Sequence, residues 1–149
     1  MLVYLDICCF NRPFDDQTQL LIRLQTEAKL SIQNAIRGGS LSLAWSAIMD
    51  LENAANPDSD RREAIAWWKD LSDTDVDASA EIDARAEELG LRGLKPMDAL
   101  HVASAIEAGA SWLLTTDTAL LKKMKGDRRI RVADPIDFVR ALKESSDEH

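Results

Sequence analysis

The feature that most strongly limits the possible folds of this chain is the alternation of short apolar runs with longer segments of helical pattern. The first run is Leu2–Leu5, which ends at Asp6, and similar runs follow at 41–45 and 112–115. A weaker run lies at 130–132. Alternating strands and helices imply a parallel sheet with helices on both faces, joined by right-handed crossovers. We predict an α/β fold with three layers, α/β/α, around a central parallel sheet of four or five strands.

The segments between these runs have helical patterns. The segment 17–37 contains no Gly or Pro, and its apolar residues recur at helical spacing until Gly38. Ser46 is a suitable cap for a helix that carries Glu52 and ends before Pro57. Further helices are predicted at 61–71, at 78–89, from Pro96 to residue 109, around 120–121 and at 135–143.

The length and charge of the chain set further bounds. Its 149 residues, 46% of them apolar, suffice for one core, so we predict a single domain over 1–149 with a polar tail at 145–149. A net charge of -8 argues against binding nucleic acid through an overall positive field. It does not exclude a nuclease, because a divalent cation bound among acidic residues reverses the local charge.

The cysteines and the N-terminal residues indicate the compartment. The only cysteines, Cys8 and Cys9, are neighbours and offer neither a disulfide framework nor the spacing of a zinc site. No basic segment followed by a long apolar stretch occurs at the start. We therefore expect a cytoplasmic protein that is neither exported nor inserted in a membrane.

Four acidic residues from distant stretches are predicted to meet at one edge of the sheet. Asp6 and Asp117 follow the first and third strands, and in open parallel sheets ligands collect at the carboxyl ends of strands. Asp98 lies in the first turn of the Pro96 helix, and Glu52 lies on the helix after the second strand. Carboxylates this close repel one another unless they share a cation, and hard oxygen ligands select Mg²⁺ or Mn²⁺. Such a site cleaves phosphodiesters without a Ser, Cys or His nucleophile.

The sequence resembles the PIN-domain family, and more narrowly VapC-like toxins, over nearly its whole length. The motifs that carry this resemblance are Tyr4-Leu5-Asp6, Ser46 with Glu52, Pro96-x-Asp98-Ala99-Leu100-His101-x-Ala103, and Thr115-Thr116-Asp117 with Leu120-Leu121 behind it. The resemblance implies a metal-dependent endoribonuclease, the toxin of a type II toxin–antitoxin pair. It further implies an RNA substrate, a cognate antitoxin and a homodimer.

The same resemblance assigns roles to residues. It implies that Asp6, Glu52, Asp98 and Asp117 are metal ligands or position the attacking water, and that Thr116 assists by hydrogen bonding. The chain departs from the family where Ile7-Cys8-Cys9 stands in place of a small polar residue followed by Asn or Ser, which leaves secondary polar contacts near Asp6 open.

Three of the four acids also have a structural explanation when taken alone, whereas a carboxylate such as Asp6 that ends an apolar strand is costly to bury unpaired. Asp98 is equally well explained by the helix dipole, Asp117 by helix capping, and Glu52 by an exposed helical position. Asp50 lies two residues before Glu52 and faces a different direction; we favour Glu52 for its spacing from Ser46. The ordered set of four favours the site.

Other polar and aromatic residues have two explanations. Arg12 is placed to contact a phosphate, and a basic stretch either guides RNA or is a solvated helix end; its members are Lys122, Lys123, Lys125, Arg128, Arg129 and Arg131. His101 lies one turn after Asp98 and is predicted to be structural. The tryptophans are predicted to form core and partner contacts.

Three rival functions remain open from the sequence. A DNA-acting flap or exonuclease uses the same carboxylates, and a non-catalytic module that binds RNA or protein keeps the same fold. A receiver-type phosphoacceptor is less attractive, because the chain lacks adjacent acids after its first strand.

Overall fold

The computed structural model describes residues 1–11 and 15–147. Its five strands are β1 (Leu2–Leu5), β2 (Ser42–Ser46), β3 (Thr74–Val76), β4 (Trp112–Leu114) and β5 (Arg131–Ala133). Between and after them lie α1 (Ile7–Asn11), α2 (Leu20–Arg37), α3 (Ala47–Ala54), α4 (Ser59–Lys69), α5 (Ala80–Leu91), α6 (Pro96–Glu107), α7 (Thr118–Lys123) and α8 (Pro135–Asp147). None of the helices in the described ranges is long and apolar enough to cross a membrane.

All strand pairs in the sheet are parallel, and the order of the strands is β3-β2-β1-β4-β5. Tyr4 pairs in register with Ala44 on β2 and with Leu113 on β4. The strands that follow β1 in the sequence, β2 and β3, are added on one side of it, and the later strands β4 and β5 are added on its other side. The direction therefore changes between β1 and β4, and ligands bind at such a switch point in open α/β sheets.

The sheet is covered on both faces. On one face Tyr4 contacts His101 of α6, with ring centroids 5.8 Å apart. On the other face Trp45 contacts Phe10 of α1 and Trp112 contacts Phe138 of α8. Apart from the first residue of each, the three central strands are buried, as their apolar sequences require. The predicted α/β class and the central parallel sheet are confirmed, with five strands.

Two elements have no counterpart in the sequence prediction. The edge strand β3 lies in the acidic stretch Ser72–Asp77 and has one apolar residue, Val76, so it lacks the apolar run that marks a buried strand. The helix α1 has only five residues, too few for a periodic pattern. Its first turn forms because the main-chain oxygen of Asp6 accepts a hydrogen bond from the N–H of Cys9.

The ends of several elements differ from the prediction. The long helix begins at Leu20 rather than at residue 17, because Asp16 accepts hydrogen bonds from the main chain and hydroxyl of Thr18 and holds a turn there. The last helix continues to Asp147, so residues 145–147 are helical rather than a frayed tail. Local hydrogen bonds of this kind decide where helices end, and apolar periodicity does not report them.

Candidate active site

Asp6 leaves the carboxyl end of β1 at the centre of the sheet edge and is 6% exposed. One carboxylate oxygen, Oδ1, accepts a hydrogen bond from the N–H of Ile7 at 2.7 Å. The other, Oδ2, accepts one from the hydroxyl of Thr115 at 3.0 Å and contacts Sγ of Cys8 at 3.5 Å. These bonds keep the carboxylate oriented toward the strand ends, which is the arrangement that a buried acid needs.

Glu52 of α3 is brought to the same place by His101 of α6. The Nε2 atom of His101 lies 2.7 Å from Oε2 of Glu52 and 3.8 Å from Oδ1 of Asp6. Asp6, Glu52 and His101 each offer one ligand atom, and these atoms all lie within 4.8 Å of one another. Two stretches of chain that are 46 residues apart thus present their carboxylates to a common point.

The neighbouring acid on α3, Asp50, is engaged elsewhere. Its carboxylate accepts hydrogen bonds from Nε1 of Trp45 at 2.9 Å and from Nζ of Lys69 at 2.9 Å. Asp50 therefore serves the packing of α3 against α4, whereas Glu52 points to the strand ends. This difference follows from the helix geometry, in which residues two apart lie on different faces.

The proton positions around His101 follow from the chemistry of its partners. An ionised carboxylate can only accept hydrogen bonds, so the Nε2–H of His101 donates to Glu52. In the neutral ring Nδ1 accepts from the hydroxyl of Tyr4 at 2.7 Å, and that oxygen accepts from Ser46 at 2.7 Å. Ser46 also accepts from the N–H of Met49 and caps α3. A buried chain of hydrogen bonds thus runs from the start of α3 to Glu52.

The pKa values of Tyr4 and His101, two buried groups in this series of hydrogen bonds, are both raised. Burial raises the pKa of Tyr4 well above its usual value, so the hydroxyl stays protonated. Burial lowers the pKa of His101, but the hydrogen bond to Glu52 and the charges of Asp6 and Glu52 outweigh this and raise it above the ordinary value. The ring therefore lies in a strongly negative surrounding.

Asp98 and Asp117 lie at the rim of this site, outside the group of ligand atoms that Asp6, Glu52 and His101 form. Asp98 lies in the first turn of α6 and is half-buried. Burial raises its pKa, and the charges of Asp117 and Asp6 raise it further. Asp117 follows β4 and caps α7, with Oδ1 accepting hydrogen bonds from the N–H groups of Ala119 and Leu120.

Of the two threonines before Asp117, it is Thr115 that contacts Asp6. Its hydroxyl oxygen also accepts a hydrogen bond from the N–H of Asp117 at 3.1 Å and so ties the ends of β1 and β4 together. Thr116, the residue singled out from the sequence, donates its main-chain N–H to Sγ of Cys8 at 3.3 Å. The Ile7-Cys8 segment thus supplies polar contacts near Asp6 through a main-chain N–H and a thiol.

Two other sequence predictions concern cations. Arg12 lies outside the described residues. Part of the basic stretch is engaged within the protein: Lys123 donates to the oxygen of Gly93, and Arg129 pairs with Asp127 and Glu88. Arg131 lies over the ring of Trp112 at 5.3 Å. The exposed remainder, Lys122, Lys125 and Arg128, is left to contact solvent or a ligand.

His101 is the residue at this site whose role could not be read from the sequence. A histidine one helical turn after an aspartate has no second histidine at ligand spacing, and that pattern indicated a structural residue. Its role becomes visible only through the hydrogen bond between the hydroxyl of Tyr4 on β1 and Nδ1 of His101 on α6. This is a tertiary contact, and the sequence of neither segment indicates it.

The donor set suits a hard divalent cation. Carboxylate oxygens of Asp6 and Glu52 face a common point, and Asp98 and Asp117 add negative charge nearby. Mg²⁺ and Mn²⁺ prefer such oxygen ligands, and a cation there would relieve the repulsion among the acids. The residues present therefore fit the ion that the sequence pattern implied.

Comparison with known proteins agrees with the fold. The structure is similar to a chain in the crystal structure of VapBC2 from Rickettsia felis bound to a DNA fragment from their promoter. The TM-score is 0.56 at 16% sequence identity, and the match covers 90% of this chain and 98% of that chain. No curated protein matches the sequence significantly. At this identity the structural likeness concerns the fold alone.

The amino-acid sequence matches the sequence model of one protein family. A profile of the PIN domain matches residues 12–126, which is more than half of the chain. The matched range contains Glu52, Asp98 and Asp117, and Asp6, which precedes it, lies beside Glu52 in the structure. The chain therefore belongs to the PIN-domain family.

Proposed function

We propose that this protein is a divalent-metal-dependent endoribonuclease that hydrolyses RNA phosphodiester bonds. Membership of the PIN-domain family supports a nuclease. The observation that carries the proposal is the convergence of Asp6 and Glu52, held by His101, at the switch point of the sheet. Carboxylates gathered at that place repel a phosphate unless a cation neutralises them.

The residues divide into three tasks. Asp6 and Glu52 would hold a Mg²⁺ or Mn²⁺ ion, and His101 fixes the direction of the Glu52 carboxylate. When bound, the ion supplies positive charge for the phosphate and lowers the pKa of water. Asp98 and Asp117, at the half-buried rim, orient a water molecule by accepting its hydrogen bonds. The hydroxyl of Thr115 keeps Asp6 in place during this chemistry.

Paired variants on one helix test the proposal. Glu52→Gln should reduce the rate of cleavage of a single-stranded RNA oligomer by roughly 100-fold or more, because the acid is lost from the site. Asp50→Asn, on the same helix, should retain the rate, because Asp50 contacts Trp45 and Lys69 instead. Asp6→Asn and Asp98→Asn should behave like Glu52→Gln.

The substrate is tested with the same preparation. Labelled RNA and DNA oligomers of one sequence are incubated with Mg²⁺, with Mn²⁺ or with a chelator. Cleavage of RNA alone, dependent on the ion, is the expected result. Cleavage of DNA alone would replace the proposal by a DNA-acting nuclease. Absence of both cleavage and Mn²⁺ binding would favour a non-catalytic binding module.

We further propose that the nuclease is the toxin of a type II toxin–antitoxin pair, silenced by a cognate antitoxin. The fold likeness to a chain of the VapBC2 structure supports this. Expression of the wild-type chain should arrest bacterial growth, and expression of Asp6→Asn should not. A homodimer, a cytoplasmic location and a single domain over 1–149 stay predictions, and light scattering tests the first of them.

A further inference from the structure

A second polar cavity lies between α1, α2 and α4, with a volume of about 200 Å³. It shares no lining residue with the acidic site. Its polar groups are Lys29, Gln33 and Arg37, which follow one another at four-residue spacing along α2 and so share one side of that helix. Its apolar walls come from Phe10 and from residues of α2 and α4.

Two of these groups are buried hydrogen-bond donors, the ammonium of Lys29 and the side-chain amide N–H of Gln33. Lys29 is 4% exposed and Gln33 is 5% exposed. Within 1–11 and 15–147, no carboxylate lies within ion-pair distance of Lys29, and the Nε2 atom of Gln33 has no hydrogen-bond partner. Buried ammonium and amide N–H groups ordinarily find an acceptor, so two unpartnered donors on one cavity wall indicate a missing ligand.

The electrostatics of the cavity are one-sided. The ring of Phe10, 5.4 Å from Nζ of Lys29, gives partial compensation through its electron-rich face. Burial is the main cause that lowers the pKa of Lys29 to about 8; the neighbouring Cys9 acts to raise it, and the charge of Arg37 acts to lower it. A negative group in the cavity would satisfy the donors and remove the cost of leaving this cation unpaired.

The guanidinium of Arg37 is held at the edge of the cavity by two rings. It lies 5.3 Å from the centroid of Trp67 and 5.0 Å from that of Trp68, and its residue is exposed. This stacking restricts a group whose planar fork matches a carboxylate. An incoming anion therefore meets Arg37 first and Lys29 and Gln33 deeper in the cavity.

The size and walls of the cavity favour one class of anion. A volume of about 200 Å³ is the share of roughly seven water molecules, which suits a terminal side-chain-sized group. A phosphodiester in RNA carries a sugar on both sides and contacts proteins at open surfaces. Apolar walls such as Ile65 suit the methylene groups of an acidic side chain or of a short carboxylic acid. We propose that this pocket binds a carboxylate group, supplied by an acidic polypeptide or by a free small carboxylate.

Lysine Cε resonances report occupancy of the pocket directly. Protein labelled with ¹³C at lysine Cε is titrated with sodium acetate in chelator-treated buffer, with the ionic strength held constant by sodium chloride. The Lys29 signal, assigned through Lys29→Met, should shift and saturate, while the signal of the exposed Lys122 should not. Gln33→Leu and Arg37→Gln, checked by circular dichroism, should each weaken binding about tenfold, because each removes a donor to the anion.

Two capped peptides distinguish the sources. One carries a single Glu between leucines, and the other has Gln at that position. Tighter binding of the Glu peptide than of acetate, with no binding of the Gln peptide, assigns the pocket to a polypeptide carboxylate; equal affinity assigns it to a free carboxylate. A Lys29 signal that fails to saturate in the wild-type protein would overturn the proposal. So would a response to an RNA oligomer and not to acetate, or unchanged affinity in both variants.

Discussion

Glu52 owes its position to a side chain on another helix. His101 is 1% exposed and has hydrogen bonds on both ring nitrogens, to Tyr4 and to Glu52. Because the His101 ring cannot rotate without breaking one of these bonds, its Nε2–H keeps the carboxylate of Glu52 in one orientation. At metal sites such outer contacts orient the ligands, so the hydrogen bonds of His101 matter as much as its burial.

Replacing Tyr4 by Phe tests this arrangement. The change keeps the fully buried ring and removes only the hydroxyl, which leaves Nδ1 of His101 and Oγ of Ser46 without that partner. We expect a loss of about 1–3 kcal/mol in the free energy of unfolding, measured in urea, and weaker Mn²⁺ binding. The ¹⁵N shift of His101 Nδ1 should also change. Unaltered Mn²⁺ affinity would show that the chain of hydrogen bonds does not position Glu52.

Elements near the far edge of the sheet are joined by one acid. Asp127, in the turn between α7 and β5, accepts hydrogen bonds from Arg92, which follows α5, and from both the side chain and the N–H of Arg129. Burial opposes its ionisation, but these bonds outweigh burial and hold the pKa of Asp127 well below its usual value. The turn is thus connected to α5 through charge.

The stability given by Asp127 should depend on pH. A depressed pKa means that the stabilisation is present above the unfolded value of about 3.9 and is lost as the pH falls below it. Asp127→Asn should therefore lower the free energy of unfolding by about 1 kcal/mol at pH 7, and the difference from wild type should shrink below about pH 4. Urea unfolding at both pH values measures this. The exposed Asp73, changed to Asn, removes one negative charge at another place and is the control.

The elements that the sequence predicts best are those with a long local pattern. The strands β1, β2 and β4 and the helices from α2 to α6 and α8 were found because apolar periodicity and helix caps extend over many residues. The strand β3 was missed because it is held by pairing with β2, through Trp45 and Asp75 in register, rather than by its own apolar residues. The short α1 likewise lacks a long local pattern, and its first turn depends on the hydrogen bond from the N–H of Cys9 to the main-chain oxygen of Asp6.

At the scale of the whole molecule, the acidic site and the net charge of -8 destabilise the protein together. A cation bound by Asp6 and Glu52 in the folded state alone should therefore stabilise the fold. At a Mg²⁺ concentration 100 times the dissociation constant, linkage predicts about 2.7 kcal/mol. For a chain of this size that corresponds to a rise in Tm of roughly 5–11 °C.

Thermal unfolding with and without Mg²⁺ tests this linkage. The wild type and Asp50→Asn should both show the rise in Tm, and Asp6→Asn should show little of it. Sodium chloride at matched ionic strength separates specific binding from screening. An equal rise in all three proteins would place the cation elsewhere on the surface.

What the sequence determined by itself is local: alternating strands and helices, and aspartates at the ends of β1 and β4. Periodicity and strand length define these features, and parallel pairing then brings Asp6 and Asp117 to one edge of the sheet. The tertiary structure decided the rest. It separated Glu52 from Asp50, placed His101 and Thr115 against the acids, and left Lys29 buried with no carboxylate partner among the described residues. These outcomes depend on how α2, α3 and α6 pack on their neighbours, and side-chain contacts between distant segments leave no pattern in the sequence of either segment.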